Sequence, residues 1–378
     1  MTGFVTPRPE PGLSAEALAL REVHRAIAEL RRGGPVLVEG EGQPLAVAAA
    51  ETVGAAGLAQ LREVGTQPPL LLLAPVRAAA VLSRPVPLSA PEQGVAALRL
   101  PPSLMDPQRL AAFADPTAEM LMPAGTERAP VPALAGVALT LAKLGRLLPA
   151  LVAVPAAGAD AGWQRVPADS VLAYPDTAAT TLRRVAEARV PLEEAPDTRI
   201  VAFRAADGGI EHLAMLVGDP EGRLASGGAP LARLHSECFT GDLLGSLRCD
   251  CGPQLRGALR RMAEDGAGVL LYLAQEGRGI GLVNKLRAYA LQDGGLDTLD
   301  ANRALGYGAD ERNFLLAGTM LRALRIPRVR LLTNNPDKLA GLAACGIEVA
   351  SREAHSFGGN GVNDAYLATK ARRFGHML

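Results

Sequence analysis

The 378-residue chain has few cysteines, few aromatic residues and no excess of either charge. It contains 4 cysteines and 1 tryptophan, and its 39 basic residues balance 39 acidic ones. So few cysteines exclude a disulfide-rich secreted fold and favour a reducing compartment. A net charge of zero supplies no global field for nucleic acid or an anionic membrane. Any anion binding must therefore be local, and we expect neither partner.

Long hydrophobic runs are absent as well. The most apolar segments, 70–82 and 133–154, are interrupted by charged residues. Neither reaches the roughly 18 uncharged residues that a membrane span requires. Charged residues between positions 10 and 22 also interrupt any signal-peptide pattern. The sequence therefore predicts a cytoplasmic protein.

Length and patterning predict two α/β domains, 1–180 and 181–378, each a mixed sheet with flanking helices. Ser14 is placed to cap a first helix that ends at Gly33-Gly34, before strands at 35–39 and 45–49. The second domain is predicted to open with a helix over 178–188. Strands are then predicted at 199–203, 212–217, 230–234, 269–273 and 329–332.

Three of the four cysteines, Cys238, Cys249 and Cys251, lie within one 14-residue window. The spacing C-x10-C-x-C is not one that disulfides favour, and it can direct several thiolates at one ion. Three sulfur ligands predict zinc with an open position, where the metal can activate water. The alternative is a structural site closed by a fourth ligand such as His235. A helix predicted to begin near Pro253 would also favour the thiolate of Cys251.

Two further segments are suited to phosphate. Gln275–Gly281 is a glycine-rich loop between a buried strand and a helix, and Arg278 can clamp phosphate oxygens there. The alternative is a tight turn that needs positive φ.

After the strand at 329–332, Asn335 is placed to cap a helix beginning at Pro336, beside Thr333 and Lys338. Here the alternative is a capped helix with a surface lysine.

Residues 305–314 form a third polar segment. Asp310 is predicted to cap a following helix. Arg312 in the first turn would oppose the helix dipole, which makes more sense if it faces an anionic ligand. Zinc beside a polyphosphate site points to hydrolysis within a nucleotide.

From about residue 181 the sequence resembles GTP cyclohydrolase II. The matching segments are 183–191, 233–252, 275–281, 285–293, 305–312, 331–338, 366–370 and Gly375-His376. The resemblance implies zinc bound by the three cysteines, Mg²⁺ with the triphosphate, and a homodimer. It also implies hydrolysis of GTP to 2,5-diamino-6-hydroxy-4-(5-phosphoribosylamino)pyrimidine, formate and pyrophosphate, the first step of riboflavin biosynthesis.

The resemblance also implies residue roles. Asp310 would accept a proton, Arg312 would be a nucleophile and Tyr289 would assist near the ring or the metal. A guanidinium remains protonated and is a poor nucleophile, so charge stabilisation by Arg312 is the simpler alternative. The residues implied to contact GTP are Arg233, Leu234, His235, Ser236, Glu237, Gln254, Glu276, Gly277, Arg278, Thr298, Thr333 and Lys338.

Residues 20–173 resemble a diverged 3,4-dihydroxy-2-butanone 4-phosphate synthase, through Gly33–Val38, Glu51, Ala114–Pro116 and Leu144–Pro149. That family's acidic loop is replaced here by Glu39–Pro44, and its later histidines are missing. Enolisation of a sugar phosphate needs a base and a metal. We therefore expect a non-catalytic scaffold or dimer surface.

Two other functions are weighed against a single-activity cyclohydrolase. One is a bifunctional riboflavin enzyme, which the missing acidic loop disfavours. The other is a non-enzymatic regulator that binds GTP and zinc, which the presence of Tyr289, Asp310 and Arg312 disfavours. A zinc-ribbon nucleic-acid module would need a second cysteine pair, and Cys345 stands alone.

Overall fold

The computed structural model describes residues 14–83, 94–156 and 162–374. These residues form two seven-stranded mixed sheets with flanking helices, which confirms the predicted fold class. Gly375-His376, part of the resemblance, lies outside the described residues. Among the helices that are described, none combines the length and apolar character needed to cross a membrane.

The first sheet is built from residues 36–167. Its strand order is β5-β4-β3-β6-β2-β1-β7, and only the β1–β7 pair is parallel. The strands are β1 (Val36–Glu39), β2 (Leu45–Ala49), β3 (Leu70–Leu73), β4 (Ala96–Arg99), β5 (Arg128–Ala129), β6 (Ala150–Pro155) and β7 (Gln164–Pro167). The helices are α1 (Ala15–Arg31), α2 (Ala55–Val64), α3 (Pro75–Leu82), α4 (Pro107–Ala114), α5 (Ala135–Leu144) and α6 (Ala168–Thr180).

The second sheet has the order β14-β13-β11-β12-β10-β9-β8. Its strands are β8 (Arg183–Arg189), β9 (Thr198–Arg204), β10 (His212–Gly218), β11 (Leu231–Ser236), β12 (Ala267–Leu273), β13 (Arg328–Leu332) and β14 (Glu348–Glu353). Its helices are α7 (Pro220–Ala225), α8 (Cys251–Asp265), α9 (Leu282–Asp293), α10 (Thr298–Ala304), α11 (Leu315–Ala323), α12 (Pro336–Ala344) and α13 (Asp364–Phe374).

The local signals at the first helix are confirmed. The Ser14 hydroxyl accepts a hydrogen bond from the Ala17 amide at 3.2 Å, and the apolar stripe of α1 is buried. The predicted helix over 178–188 is wrong. Helix α6 ends at Thr180, and residues 183–189 form the exposed edge strand β8, paired with β9. Their alanines, glutamate and arginines favour a helix, but pairing with a neighbouring strand overrides that local preference.

Three adjacent parallel strands determine where polar side chains meet. Strand β11 lies between β12 and β13 and is parallel to both. Their carboxyl ends therefore lie at one edge of the sheet, where ligands bind in open α/β folds. The cysteine segment follows β11, the segment 275–281 (the pocket loop) follows β12, and Thr333 follows β13. The topology thus brings together three segments that are far apart in the sequence.

One hydrophobic core cluster includes residues from both halves of the chain. The core cluster under the first sheet also contains buried Ile280, Ala288, Leu305 and Tyr307 from the second half. The Tyr307 hydroxyl donates to the Leu147 carbonyl at 2.5 Å. Residues 14–182, which we call the first half, thus pack directly against the elements that hold the pocket loop.

Candidate functional site

The three predicted cysteines converge. Cys238 follows β11, Cys249 lies in the next loop and Cys251 is the first residue of α8. Their sulfur atoms all lie within 4.8 Å of one another, and those of Cys238 and Cys249 are 3.7 Å apart. Among the described residues, no histidine or carboxylate joins this group. His235 instead has its Nε2 atom 3.1 Å from Asp242 Oδ1, which argues against the predicted alternative of a fourth ligand.

The cysteine cluster fits a zinc ion. Three cysteine sulfurs are a soft donor set typical of zinc. The loop leaves room only for glycine at Gly241, where a β-carbon would lie 2.7 Å from Cys249 Sγ and 3.0 Å from Cys238 Sγ. The chain is thus folded closely around the sulfurs at Gly241.

The thiols interact strongly. Hydrogen bonds from the other two thiols lower the pKa of Cys238 far below its usual range. The bond to Cys238 correspondingly raises the pKa of Cys249 to about 11, and the same bonding raises the pKa of Cys251. One thiolate is therefore stabilised by its neighbours, and metal binding must displace the remaining two protons.

Lys285 stands beside the cluster. Its Nζ atom lies 3.0 Å from Cys238 Sγ, 2.9 Å from Thr240 Oγ1 and 2.9 Å from Glu276 Oε1. Burial would lower the pKa of Lys285, but Cys238 and Glu276 outweigh it and raise the value. One turn along α9, the Tyr289 hydroxyl is 3.4 Å from Thr240 Oγ1. The i, i+4 spacing of Lys285 and Tyr289 puts both on the face of α9 that turns toward the sulfurs.

The cysteines open into a cavity of about 670 Å³. Every residue predicted to bind metal or GTP lines it, as do Tyr289 and Arg312. Asp310 does not line it, but forms an ion pair with Arg312, which does. Polar lining residues that the sequence reasoning left unassigned are Arg248, Lys285, Gln292, Asp293, Asp297, Asn302, Asn334, Asn335, His355 and Thr369.

The pocket loop is a tight turn as well as part of the cavity wall. Gly277 and Arg278 both adopt φ of 63°, followed by Gly279 at 98°. The predicted alternative of a turn with positive φ is therefore correct. Glu276, Gly277 and Arg278 nevertheless line the cavity. The two interpretations are compatible, because strained backbone is a common feature of loops that hold a ligand.

The prediction that Asp310 caps a helix is wrong. The next helix after Asp310 begins only at Leu315, whose amide donates to Asn313 Oδ1 at 2.8 Å. Asp310 instead pairs with Arg312, accepting from its Nε at 2.8 Å. Burial would raise the pKa of Asp310, but the hydrogen bonds and charge of Arg312 lower it. Arg312 therefore lies in an irregular loop, with Nη1 3.4 Å from Ser236 Oγ.

The segment after β13 follows the sequence prediction closely. Asn335 caps α12 by accepting from the Asp337 amide at 2.9 Å, and Pro336 is the first helical residue. Lys338 turns back to donate to the Leu234 carbonyl at 2.7 Å. The lysine thus reaches the cavity and is not the surface residue of the alternative interpretation.

Asp242 holds two cavity-lining residues, His235 and Cys238, and only its place in the cysteine segment marks it in the sequence. It accepts from the Cys238 amide at 3.0 Å, from the Tyr272 hydroxyl at 3.0 Å and from His235 Nε2. Burial lowers the pKa of His235, so the ring is neutral. Donation through Nε2 leaves the buried Nδ1 atom as an acceptor, with no partner in the described chain.

His212 contacts the residue before the pocket loop, and its shifted pKa makes the folding stability depend on pH. Its Nδ1 accepts from the Ala274 amide at 3.0 Å, and burial, aided by the charge of Arg146, lowers its pKa to about 4. The unfolded chain therefore binds more protons between pH 6.5 and 4, so stability falls as pH falls through that window.

We expect His212→Gln to flatten this fall, by at most about 1.4 kcal/mol per pH unit. Urea unfolding of the parent and the variant at pH steps from 7 to 4.5 measures it. Identical slopes for the two proteins would contradict the prediction. His355, whose pKa burial also lowers to about 4, contributes to both slopes equally.

Fold and site together define an α/β protein in which a three-cysteine cluster that could hold a metal ion opens into a polar cavity. The family model for GTP cyclohydrolase II matches residues 183–354. A GTP cyclohydrolase-2 of Azospirillum brasilense is 48% identical over 98% of this chain and 97% of its own. One from Pectobacterium atrosepticum is 53% identical over 52% of this chain and 98% of its own. The chain belongs to the GTP cyclohydrolase II family.

A solved two-domain 3,4-dihydroxy-2-butanone 4-phosphate synthase from A. baumannii covers 89% of this chain and 99% of its own, at 16% identity. Its TM-score of 0.32 is too low to bear on the function of the first half.

Proposed function

We propose that this protein is a zinc-dependent GTP cyclohydrolase II that hydrolyses GTP to 2,5-diamino-6-hydroxy-4-(5-phosphoribosylamino)pyrimidine, formate and pyrophosphate. One observation carries the proposal: three sulfur ligands open into the same cavity as Arg278, Arg312 and Lys338. A metal that activates water thus shares a cavity with cations suited to a triphosphate. Membership of the GTP cyclohydrolase II family supports the same reaction.

The cysteine cluster would hold one zinc ion in each chain, and that zinc would supply Lewis-acid activation of water. The neighbouring groups then have separate tasks. Lys285 holds Glu276 and Cys238 together, so the pocket loop and the cysteine segment keep a fixed distance. The Tyr289 hydroxyl, whose pKa burial raises, remains a proton donor at neutral pH beside the cluster.

The substrate would extend from the cluster toward the cations. Lys338, Arg278 and Arg312 would face the phosphates, together with Ser236 and Thr333. A Mg²⁺ ion bound with the triphosphate would neutralise part of its charge. On the wall between them, Arg233 is hydrogen-bonded to Gln254, and His235 offers a buried acceptor. We assign Leu234, Glu237, Gly277 and Thr298 to the remaining contacts with GTP, since they line the same cavity.

Asp310 and Arg312 would act as a pair during release of pyrophosphate. Asp310 would accept a proton, and Arg312 would act either as a nucleophile or by stabilising charge. The close ion pair favours charge stabilisation. Arg312 lowers the pKa of Asp310, which makes this carboxylate a weaker base for the proton that a nucleophilic guanidinium would have to lose.

We further propose a division near residue 180, with a first half that is not catalytic. Glu39, in the loop where the synthase family has its acidic residues, forms a salt bridge with Arg165 at 2.7 Å.

We also propose a cytoplasmic homodimer. Leu243, Leu244 and Leu247, beside the cysteines, are each more than 60% exposed in the single chain, a patch suited to a partner surface.

Incubation with GTP and Mg²⁺ tests the main proposal. We expect the zinc-loaded protein to release formate and pyrophosphate in equal amounts, with the pyrimidine product detected by mass spectrometry. Pyrophosphate without formate would mean that the ring-opening step is absent. Tight GTP binding without turnover would instead support a regulator.

Ribulose 5-phosphate with Mg²⁺ tests the bifunctional alternative. Formation of 3,4-dihydroxy-2-butanone 4-phosphate would show that the first half is catalytic.

A further inference from the structure

Arg146, in the first half, touches both ends of the pocket loop. Its Nη2 atom donates to the carbonyl of Ala274, the residue before the loop, at 2.7 Å. At the other end its side chain lies against Gly281, where an added β-carbon would come within 2.9 Å of Arg146 Cδ. Its own carbonyl accepts from Asn284 Nδ2 in α9 at 2.9 Å. One residue thus contacts both the residue before the loop and the loop's last residue.

The backbone of Arg146 is strained. Its φ is 56°, a conformation that costs energy for any residue with a β-carbon. Such residues persist only when surrounding contacts hold them, and they cluster at functional sites. Another of the few described non-glycine residues with positive φ is Arg278, in the loop that Arg146 supports.

A second contact from the first half reaches the other side of the loop. The Glu311 amide donates to the Arg278 carbonyl at 3.1 Å. Lys143 Nζ binds Glu311 Oε1 at 3.1 Å, three residues before Arg146. The end of α5 therefore supports the loop both directly and through Glu311.

The cavity-lining residues all come from 233–369. The first half is thus outside the cavity but controls the position of a wall that contains Glu276, Gly277 and Arg278. We propose that Arg146 is a positioning residue for the GTP-binding loop, so that the first half contributes to substrate affinity. This inference rests on the proposed cyclohydrolase function.

The expected signature is a weaker affinity for GTP. Loss of the guanidinium frees the Ala274 carbonyl and the loop's last glycine, so the loop can shift away from the substrate. A displacement near 1 Å can cost up to about a hundredfold in rate. For Arg146→Ala we expect KM for GTP to rise about tenfold, in keeping with that scale. A protein that merely folded less well would lose turnover in proportion to its folded fraction and keep its KM.

Three full-length, zinc-loaded variants separate the effect of losing the side chain from the effect of relieving the backbone strain. Arg146→Ala removes the guanidinium and keeps the strain, whereas Arg146→Gly removes both, because glycine accepts positive φ. We expect the same rise in KM for these two, with the glycine variant no less stable than the alanine variant. Arg146→Lys retains one donor for the Ala274 carbonyl, and we expect its KM to stay within about threefold of the parent value.

The matched control is Arg303→Ala, an exposed arginine of α10 paired with Asp300, which should keep the parent KM. Binding of a non-hydrolysable GTP analogue and zinc content are measured on every variant. A KM within twofold of the parent for both Arg146→Ala and Arg146→Gly at full zinc content would overturn the proposal. So would a loss of turnover that follows zinc content at constant KM. An inactive parent protein would instead refute the cyclohydrolase function itself.

Discussion

Replacing Cys249 with serine is expected to reduce formate release from GTP by at least about a hundredfold. Removing a residue that only hydrogen-bonds to a metal ligand already lowers metal affinity or activity by about 10–100-fold. Serine has nearly the size of cysteine but offers a hard hydroxyl in place of a soft thiolate. The metal-binding group contains only these three cysteines among the described residues, so no other ligand of this group replaces the lost sulfur. The variant should contain far less zinc than the parent.

The chain offers a matched control in Cys345, which lies outside the cluster at the end of α12. We expect Cys345→Ser to retain zinc and activity. Metal analysis and a formate assay on both variants and on chelator-treated parent protein measure the effect. Full activity of Cys249→Ser at parent zinc content would exclude the proposed centre. Recovery of chelated parent protein on adding zinc would link the loss to the metal and not to unfolding.

Replacing Arg312 with alanine is expected to lower kcat for pyrophosphate release by about 10²–10³-fold, the range for removing one preorganised group that stabilises developing charge. Arg312 lines the cavity and keeps its side chain in place through Asp310 and Ser236. Its removal also takes away the main counter-charge of Asp310, so that carboxyl should titrate at a higher pH.

The lysine variant separates the two roles of Arg312. If the residue stabilises charge, Arg312→Lys should recover part of the activity, because it restores a cation at the same place. If Arg312 forms a covalent bond to phosphorus, mass spectrometry of protein quenched during turnover should detect a phosphoramidate on that residue. Equal activity of parent and Arg312→Ala would contradict both roles. Asp310→Asn should resemble the alanine variant if the two residues act as a pair.

Much of the site could be predicted because its residues are concentrated in short segments. The three cysteines lie within 14 residues, so chain connectivity alone keeps them near one another. The cap at Asn335 and the helix starting at Pro336 are local features, and both are confirmed. The turn at Gly277 is local as well. Its role as a cavity wall depends on the parallel alignment of β11, β12 and β13.

The errors arose where a specific pairing, and not local helix preference, decides the structure. Residues 183–189 have helical preference, but they pair with β9 as an edge strand. Asp310 has the side chain of a helix cap, but a strong ion pair with Arg312 holds it in a loop. Asp242 gave no signal, because its importance comes from the amide, hydroxyl and imidazole that converge on it only in the fold.

The sequence by itself determined the two α/β sheets and the metal-binding residue types, which follow from composition, hydrophobic period and short-range spacing. The residues expected to contact GTP came instead from the resemblance to GTP cyclohydrolase II. The tertiary structure alone decided that Lys285 lies beside the sulfurs, that Asp310 pairs with Arg312, and that Arg146 donates to the carbonyl of Ala274, 128 residues further along the chain. Such contacts depend on how strands and helices pack across long stretches of chain, and no local pattern specifies that packing.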